Sequence, residues 1–263
     1  MRSLLVVLML LSVPVAAQTP DQMPVDVELA LMVDASRSMR PDEQALQRRG
    51  YAEALRSANV ISAIEAGLLG RVALTYMEWS GSNTAKAVVP WTLIETPADA
   101  FAFATALEAP LKPSGGRTSV ASAIDYGAEA IRTNRFKGAR QVIDISGDGP
   151  NNAGPLVDAS RDKAVADGMI INGLPLMTRD GIGAGWHLDE LDLYYAACVI
   201  GGPGAFLIPV HEWSDLAAAV RRKIVLELAD ADAGLPAPFV PANYDCQIGE
   251  KLWEEFRRNI DWP

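Results

Sequence analysis

Asp34, Ser36 and Ser38 fall in the run Asp-Ala-Ser-Arg-Ser, so one carboxylate and two hydroxyls alternate along five residues. Thr118 follows Gly115-Gly116-Arg117, and Asp148 stands in Ser146-Gly147-Asp148-Gly149-Pro150-Asn151-Asn152. Two carboxylates and three hydroxyls, with no imidazole or thiolate, are an all-oxygen donor set that matches a hard dication rather than zinc. Two negative charges nearly neutralise such an ion, and so few protein donors leave positions for an incoming carboxylate or phosphate oxygen. The chemistry expected is ligand binding through a metal. Each piece alone has a structural explanation: Ser36 and Ser38 satisfy amides ahead of a helix, Thr118 caps one, and Asp148-Gly149 forms a turn. Order and context favour the joint reading, with Asp34, Ser36, Ser38, Thr118 and Asp148 as candidate ligands.

These groups sit where strands are expected to end. Residues 28–33 form an almost continuous apolar run closing on Asp34, the pattern of a strand covered on both faces. Pro41, Asp42 and Glu43 open a helical pattern that places Leu46, Ala54, Leu55, Ala58, Ile61 and Ile64 on one side. Residues 71–79 and 85–94 read as a hairpin about the turn at 80–83. A helix over 97–109 follows, then one capped by Thr118 or Ser119 and running to about Arg132. Beyond it the pattern predicts strand 141–145, helix 156–166, strand 169–176, helix 188–197, strand 205–210 and helix 214–228. Strands separated by helices of this length need crossover connections. The fold class is therefore α/β: a doubly wound, mostly parallel sheet with one antiparallel edge strand and helices on both faces. In such sheets ligands bind beyond the carboxyl ends of the strands, near the point where connections change sides. The domain is expected over residues 25–230, with 231–263 a C-terminal extension packed on it and 248–258 forming a short helix.

At the five oxygen-bearing residues the sequence resembles a von Willebrand factor type A domain with its metal-ion-dependent adhesion site. The family's Asp-x-Ser-x-Ser corresponds to Asp34, Ser36 and Ser38, its threonine to Thr118, and its later aspartate to Asp148. The resemblance covers roughly residues 25–228. It implies a doubly wound sheet and a cation, Mg2+ with Mn2+ or Ca2+ as alternatives, contacted by Ser36, Ser38 and Thr118 while the aspartates often act through water. It further implies a protein partner that presents an Asp or Glu carboxylate. The family's usual Thr-Asp-Gly is here Ser146-Gly147-Asp148-Gly149, a departure at Asp148. Residues 142–152 and 198–204 are similar to an exported bacterial group with this fold and no assigned function.

Composition narrows the alternatives. The chain has 263 residues, 49% hydrophobic and 21% charged, which suits a globular protein. Lys plus Arg total 23 against 33 Asp plus Glu, a formal charge of −10, and no basic cluster stands ready for a phosphate backbone, so nucleic acid is not an expected partner. Arg2, the apolar run 4–13 and Val15-Ala16-Ala17 before Gln18 have the form of a signal peptide over residues 1–17. The expected location is periplasmic or secreted. With Pro14 inside it, that stretch falls short of the roughly 18 apolar residues of a spanning helix, so no stable membrane insertion is expected after cleavage. Cys198 and Cys246 are the only cysteines, read either as a bridge contributing ~2 to 4 kcal/mol or as two buried thiols.

An enzyme fits less well. Phosphoryl transfer through Asp34 usually calls for a second carboxylate two residues on, where Ser36 stands, plus a nearby lysine. A serine hydrolase needs a base, and His187 and His211 occur without a Gly-x-Ser-x-Gly elbow. A scaffold with a vestigial site is the third reading. Arg37 and Arg117 flank the candidate site and are read as holding an acidic partner or pairing with nearby acids. Asp144, between Ile143 and Ile145, needs a partner or a raised pKa if buried, and is read as supporting the metal loops or, in preference, as making structural hydrogen bonds near a helix terminus; Trp79, Trp91 and Trp186 receive no role.

Overall fold

The computed structural model describes residues 22–82, 84–110, 115–178, 188–229 and 243–260. The expected leader, Trp186, His187 and the first part of the C-terminal extension lie outside the described residues. Five strands form one sheet: β1 (Met23–Asp34), β2 (Val72–Trp79), β3 (Ala85–Ile94), β4 (Phe136–Gly147) and β5 (Ile170–Pro175). Their spatial order is β3-β2-β1-β4-β5. β1 runs parallel to both β2 and β4, β4 runs parallel to β5, and β3 is the antiparallel edge strand.

The near-continuous apolar run of β1 follows from its central position. Val27, Leu29, Leu31 and Val33 enter one core, while Ala30 and Met32 enter the other, because successive side chains leave opposite faces of a strand. The first core is closed by α1 (Pro41–Leu55), α2 (Ala58–Glu65), α3 (Pro97–Leu107) and α7 (Leu216–Leu228). The second is closed by α4 (Val120–Thr133) and α5 (Val157–Ala166), and by α6 (Leu191–Tyr194) with the π-helical turn Tyr195–Val199 that continues it. Truncating a fully buried leucine such as Leu29 or Leu31 would cost about 2–5 kcal/mol.

Three sequence expectations are corrected. The pattern read as one helix from Pro41 to Ile64 is divided at Arg56-Ser57, because Ser57 turns extended and its hydroxyl accepts the Val60 amide to start α2. Residues 205–210 do not form a sixth strand. They touch β5 through the isolated parallel bridges Gly173–Leu207 and Leu176–Val210, and neither Pro209 nor Pro175 has an amide to extend the ladder. The helix expected over 188–197 starts later, at Leu191, and loosens into the π-turn. Of the two cap candidates ahead of α4, Ser119 is the cap: its side chain accepts from Ser122 N.

The last described element, α8 (Ile248–Ile260), packs beside the domain. A disulfide joins Cys246, just before it, to Cys198 in the π-turn, with the Cα atoms 5.5 Å apart. Tyr244 adds an edge-on contact to Tyr194 at 6.3 Å between ring centroids. No helix among the described residues is long and apolar enough to cross a membrane.

Candidate metal centre

β1 connects toward β2 on one side of the sheet, and β4 lies on its other side, so the carboxyl ends of β1 and β4 flank the point where connections change sides. Three loops meet there. Ala35 N donates to Trp79 O at 2.8 Å, Ser119 N to Ser80 O at 3.0 Å, and Arg37 N to Gly116 O at 3.2 Å. Gly116 has φ of +127°, a conformation that disfavours any residue with a Cβ, and it brings the Thr118 loop down onto the β1 exit. Thr118 and Asn152 hold each other twice, Asn152 N donating to Thr118 O at 2.9 Å and Thr118 N to Asn152 Oδ1 at 3.0 Å.

The structure brings the five predicted residues into one cluster. Thr118 Oγ1 lies 3.5 Å from Ser36 Oγ, Ser36 Oγ lies 3.0 Å from Ser38 Oγ, and Ser38 Oγ donates to Asp148 Oδ1 at 2.8 Å. Asp34 Oδ1 accepts the Ser36 amide at 2.7 Å, which turns the chain so that Ser36 and Ser38 face the same space. Asp34 is fully buried, and its Oδ2 has no hydrogen-bond partner. Burial, then the neighbouring Asp148 charge, push the Asp34 carboxyl well above the ordinary carboxylate range. A buried carboxylate oxygen without a partner, with a second carboxylate close enough to raise it, is costly unless a cation shares the space. The donor chemistry fits a hard dication. Among the described residues no group of three or more His, Cys, Asp or Glu side chains could hold a metal, so hydroxyls must complete any donor set.

Several residues that shape the cluster carried no assigned role in the sequence. Gln47 on α1 donates to Asp34 O at 3.1 Å and accepts from Ser146 Oγ at 3.2 Å, bridging the exits of β1 and β4. A buried polar residue on the inner face of an amphipathic helix was the available signal. Tyr195 reads as core, yet its buried hydroxyl has no partner, and burial with the nearby Asp34 charge raises its pKa far above the ordinary value. A Cβ on Gly147 would lie 2.9 Å from Tyr195 Oη and 3.0 Å from Asp34 Oδ2, so glycine is what leaves both atoms their space. Glu43, buried nearby, caps α1 by accepting Arg40 N at 2.8 Å; burial raises its carboxyl first, with Asp148 a smaller cause.

Asn151 ties the Asp148 loop to the rest of the molecule. Its amide donates to Tyr194 Oη at 3.1 Å, its Oδ1 accepts Ala121 N at 3.1 Å, and its Nδ2 donates to Pro155 O at 3.0 Å and Glu250 Oε1 of α8 at 2.7 Å. Arg117 pairs with neither Asp nor Glu among the described residues. Its guanidinium donates to Asn152 O at 3.2 Å and lies 5.4 Å from the centre of the Trp253 ring. Arg37 and His211 are exposed, and Trp79 is core.

Asp144 has buried partners: Lys223 Nζ at 2.6 Å and Tyr51 Oη at 3.5 Å. It points into the α7 side of the sheet, separate from the five-residue cluster.

Comparison with known proteins agrees with this architecture. The pilus adhesin SpaC from Lactobacillus rhamnosus GG superposes with a TM-score of 0.58 at 12% identity, over 79% of this chain and 31% of that one. Proximal thread matrix protein 1 from the mussel byssus gives 0.54 at 16% identity, over 79% and 49%. The same mussel protein with a zinc-occupied MIDAS motif gives 0.51 at 15% identity, over 79% and 48%. The chain thus spans half or less of the length of these proteins, and the likeness is one of fold. What is shared is the α/β architecture, a mostly parallel sheet flanked by helices, as the sequence resemblance implied. No curated protein matches the chain in sequence. Residues 24–232 match the family described as "Protein of unknown function (DUF1194)", and the chain belongs to that family.

Proposed function

We propose that the chain is an exported binding module that engages an acidic group of a protein partner through a divalent cation held by Ser36, Ser38, Thr118, Asp34 and Asp148. The observation that carries this reading is the buried, partnerless Asp34 Oδ2 at the edge of a continuous run of side-chain oxygens drawn from three loops. When bound, a dication supplies a positive Lewis-acid centre for a carboxylate oxygen of the ligand. The residues around it do the rest. Asp34 and Asp148 would offset its charge and the three hydroxyls would supply neutral oxygen donors, while Gln47 and Asn151 hold the loops so that little reorganisation is needed on binding. Mg2+ suits the oxygen donors, with Mn2+ or Ca2+ as substitutes. Export is supported by the leader-like first 17 residues and by the Cys198–Cys246 disulfide, a bond that persists in oxidising compartments.

Calorimetric titration of Mg2+ and Mn2+ into the wild type and Asp34→Ala tests the site. Saturable heat in the wild type and none in the variant is expected; equal heats in both would remove it. Capture of partners from envelope extract, with and without chelator, then tests the metal dependence of binding.

A further inference from the structure

Lys223 lies in α7 at a position only 1% exposed, with both of its neighbours in reach equally buried. Its Nζ is 2.6 Å from Asp144 Oδ1 on the inner strand β4, and it donates to Glu227 Oε1 one turn along its own helix. Nζ and the Asp144 carboxyl are therefore a buried ion pair in direct contact, with both side chains shut away from water. Glu227 Oε1 also accepts Asn172 Nδ2 at 3.0 Å, and Asn172 is fixed in turn by Phe206 N at 3.1 Å. The Phe206 ring sits 5.6 Å from Nζ, and Tyr51 closes the far side of Asp144, packed edge-on against Tyr76 at 5.3 Å.

We propose that Lys223 and Asp144 are the two halves of an intramolecular amide cross-link, and that Glu227 carries the proton during its formation. Two carboxylates and one ammonium buried together leave an uncompensated negative charge, an arrangement that is costly as free charges. The same burial favours neutral forms. Desolvation, followed by the Asp144 charge, pushes Glu227 up to about 7, and desolvation raises Asp144 despite the lysine beside it. A proton passing from Nζ to the adjacent Asp144 carboxyl leaves a neutral amine in contact with a neutral acid. The amine lone pair then forms an N–C bond to Asp144 Cγ. The second Nζ proton moves to Glu227 and from there to the departing Oδ1 oxygen, whose C–O bond breaks. One water leaves, Glu227 recovers its starting state, and no oxidant or co-reactant is consumed. The remaining amide oxygen faces Tyr51, and the remaining amide N–H faces Glu227. Fixed contact of this kind is worth effective concentrations of about 10⁵ M or more, which supplies the drive that free amine and acid lack in water.

The geometry is unlike that of the surface ion pairs, such as Arg40–Asp42 or Lys251–Asp245, where water competes and nothing holds a nucleophile against a carboxyl carbon. It ties α7 covalently to β4, on the face opposite α8.

Mass spectrometry of the purified chain decides. With the Cys198–Cys246 bond reduced and alkylated, the wild type is expected to be one water lighter than its dialkylated sequence, and its digest to contain a branched peptide joining the segments that carry Lys223 and Asp144. Lys223→Arg, whose guanidinium is not nucleophilic, is expected at full mass. Folded Glu227→Gln, checked by circular dichroism, is expected to form the link at least ~100-fold more slowly, the contribution of a positioned proton carrier. Wild type at full mass, with Lys223 and Asp144 on separate linear peptides after prolonged incubation at neutral pH, overturns the cross-link. Equal rates in wild type and folded Glu227→Gln overturn the role of Glu227.

Discussion

Ser38 Oγ donates a 2.8 Å hydrogen bond to Asp148 Oδ1, joining the loop after β1 to the loop after β4 across 110 positions of sequence. The bond holds one candidate ligand against another, so losing the hydroxyl affects both. Ser38→Ala is expected to weaken Mn2+ binding roughly 10- to 100-fold, the scale on which groups that orient metal ligands act. Stability should change by no more than about 1 kcal/mol, because Ser38 is only half-buried. Calorimetric titration beside a urea melt separates the two effects; unchanged Mn2+ affinity would remove Ser38 from the donor set.

Gly147 ends β4 against the two buried oxygens that lack partners. A methyl group there has Tyr195 Oη, Asp34 Oδ2 and the Trp79 ring all within 3.3 Å, and these side chains are fully buried with little room to retreat. Gly147→Ala should therefore cost about 1–3 kcal/mol by overpacking. It should also displace Asp34 and lower metal affinity. Gly149, with nothing within 4 Å of the position a Cβ would take, is the matched control, and Gly149→Ala should leave both quantities near wild type. Equal effects from the two substitutions would show that crowding at Gly147 is not the cause.

Glu227 gives stability a pH dependence of definite sign. Its ordinary value of 4.5 is pushed up to about 7 in the folded protein, chiefly by burial and then by Asp144. Between those values the folded state holds a proton that the unfolded chain releases. The contribution of Glu227 is therefore complete below about pH 4.5 and is lost as pH rises through about 7. Gln imitates the protonated acid and removes this dependence. Urea midpoints measured from pH 5 to pH 8 on chains whose mass shows no Lys223–Asp144 link should fall more steeply with Glu227 than with Glu227→Gln, by a total on the order of 3 kcal/mol. Parallel curves would mean that Glu227 titrates normally.

The alternation of apolar strands and helices was legible because each strand of the parallel sheet is buried on both faces, which leaves an uninterrupted apolar run such as 28–33. The meeting of the five oxygen-bearing residues was legible because four of them follow directly on the ends of β1 and β4 and Thr118 stands just ahead of a capped helix. Less visible were groups whose role depends on contacts made far along the chain. Gln47 is one polar residue on a helix until Ser146 and the Asp34 carbonyl meet it, and Lys223 sits four residues from Glu227 like any surface pair until burial and Asp144 give it a different chemistry. The strand expected over 205–210 failed for a local reason, since Pro209 interrupts the donors that a ladder needs.

The Cys198–Cys246 bond encloses a 48-residue separation and fastens α8 beside the Asp148 loop. Chain-entropy arguments assign a loop of that length about 4 kcal/mol, so reduction or Cys246→Ser should lower the free energy of unfolding by roughly that amount. A second effect should follow from the site. Glu250 reaches Asn151 at 2.7 Å, and Asn151 is bonded to the amide of Ala121 at the start of α4 and to Tyr194, so releasing α8 loosens the loop that carries Asp148. Glu250→Ala isolates this contact while leaving the disulfide intact. It should cost about 1 kcal/mol of stability, the net worth of one hydrogen bond, while weakening Mn2+ binding several-fold. Calorimetry on wild type, reduced wild type and Glu250→Ala at one pH makes the comparison. If reduction lowers stability but leaves Mn2+ affinity in all three proteins unchanged, α8 fastens the domain without positioning the site.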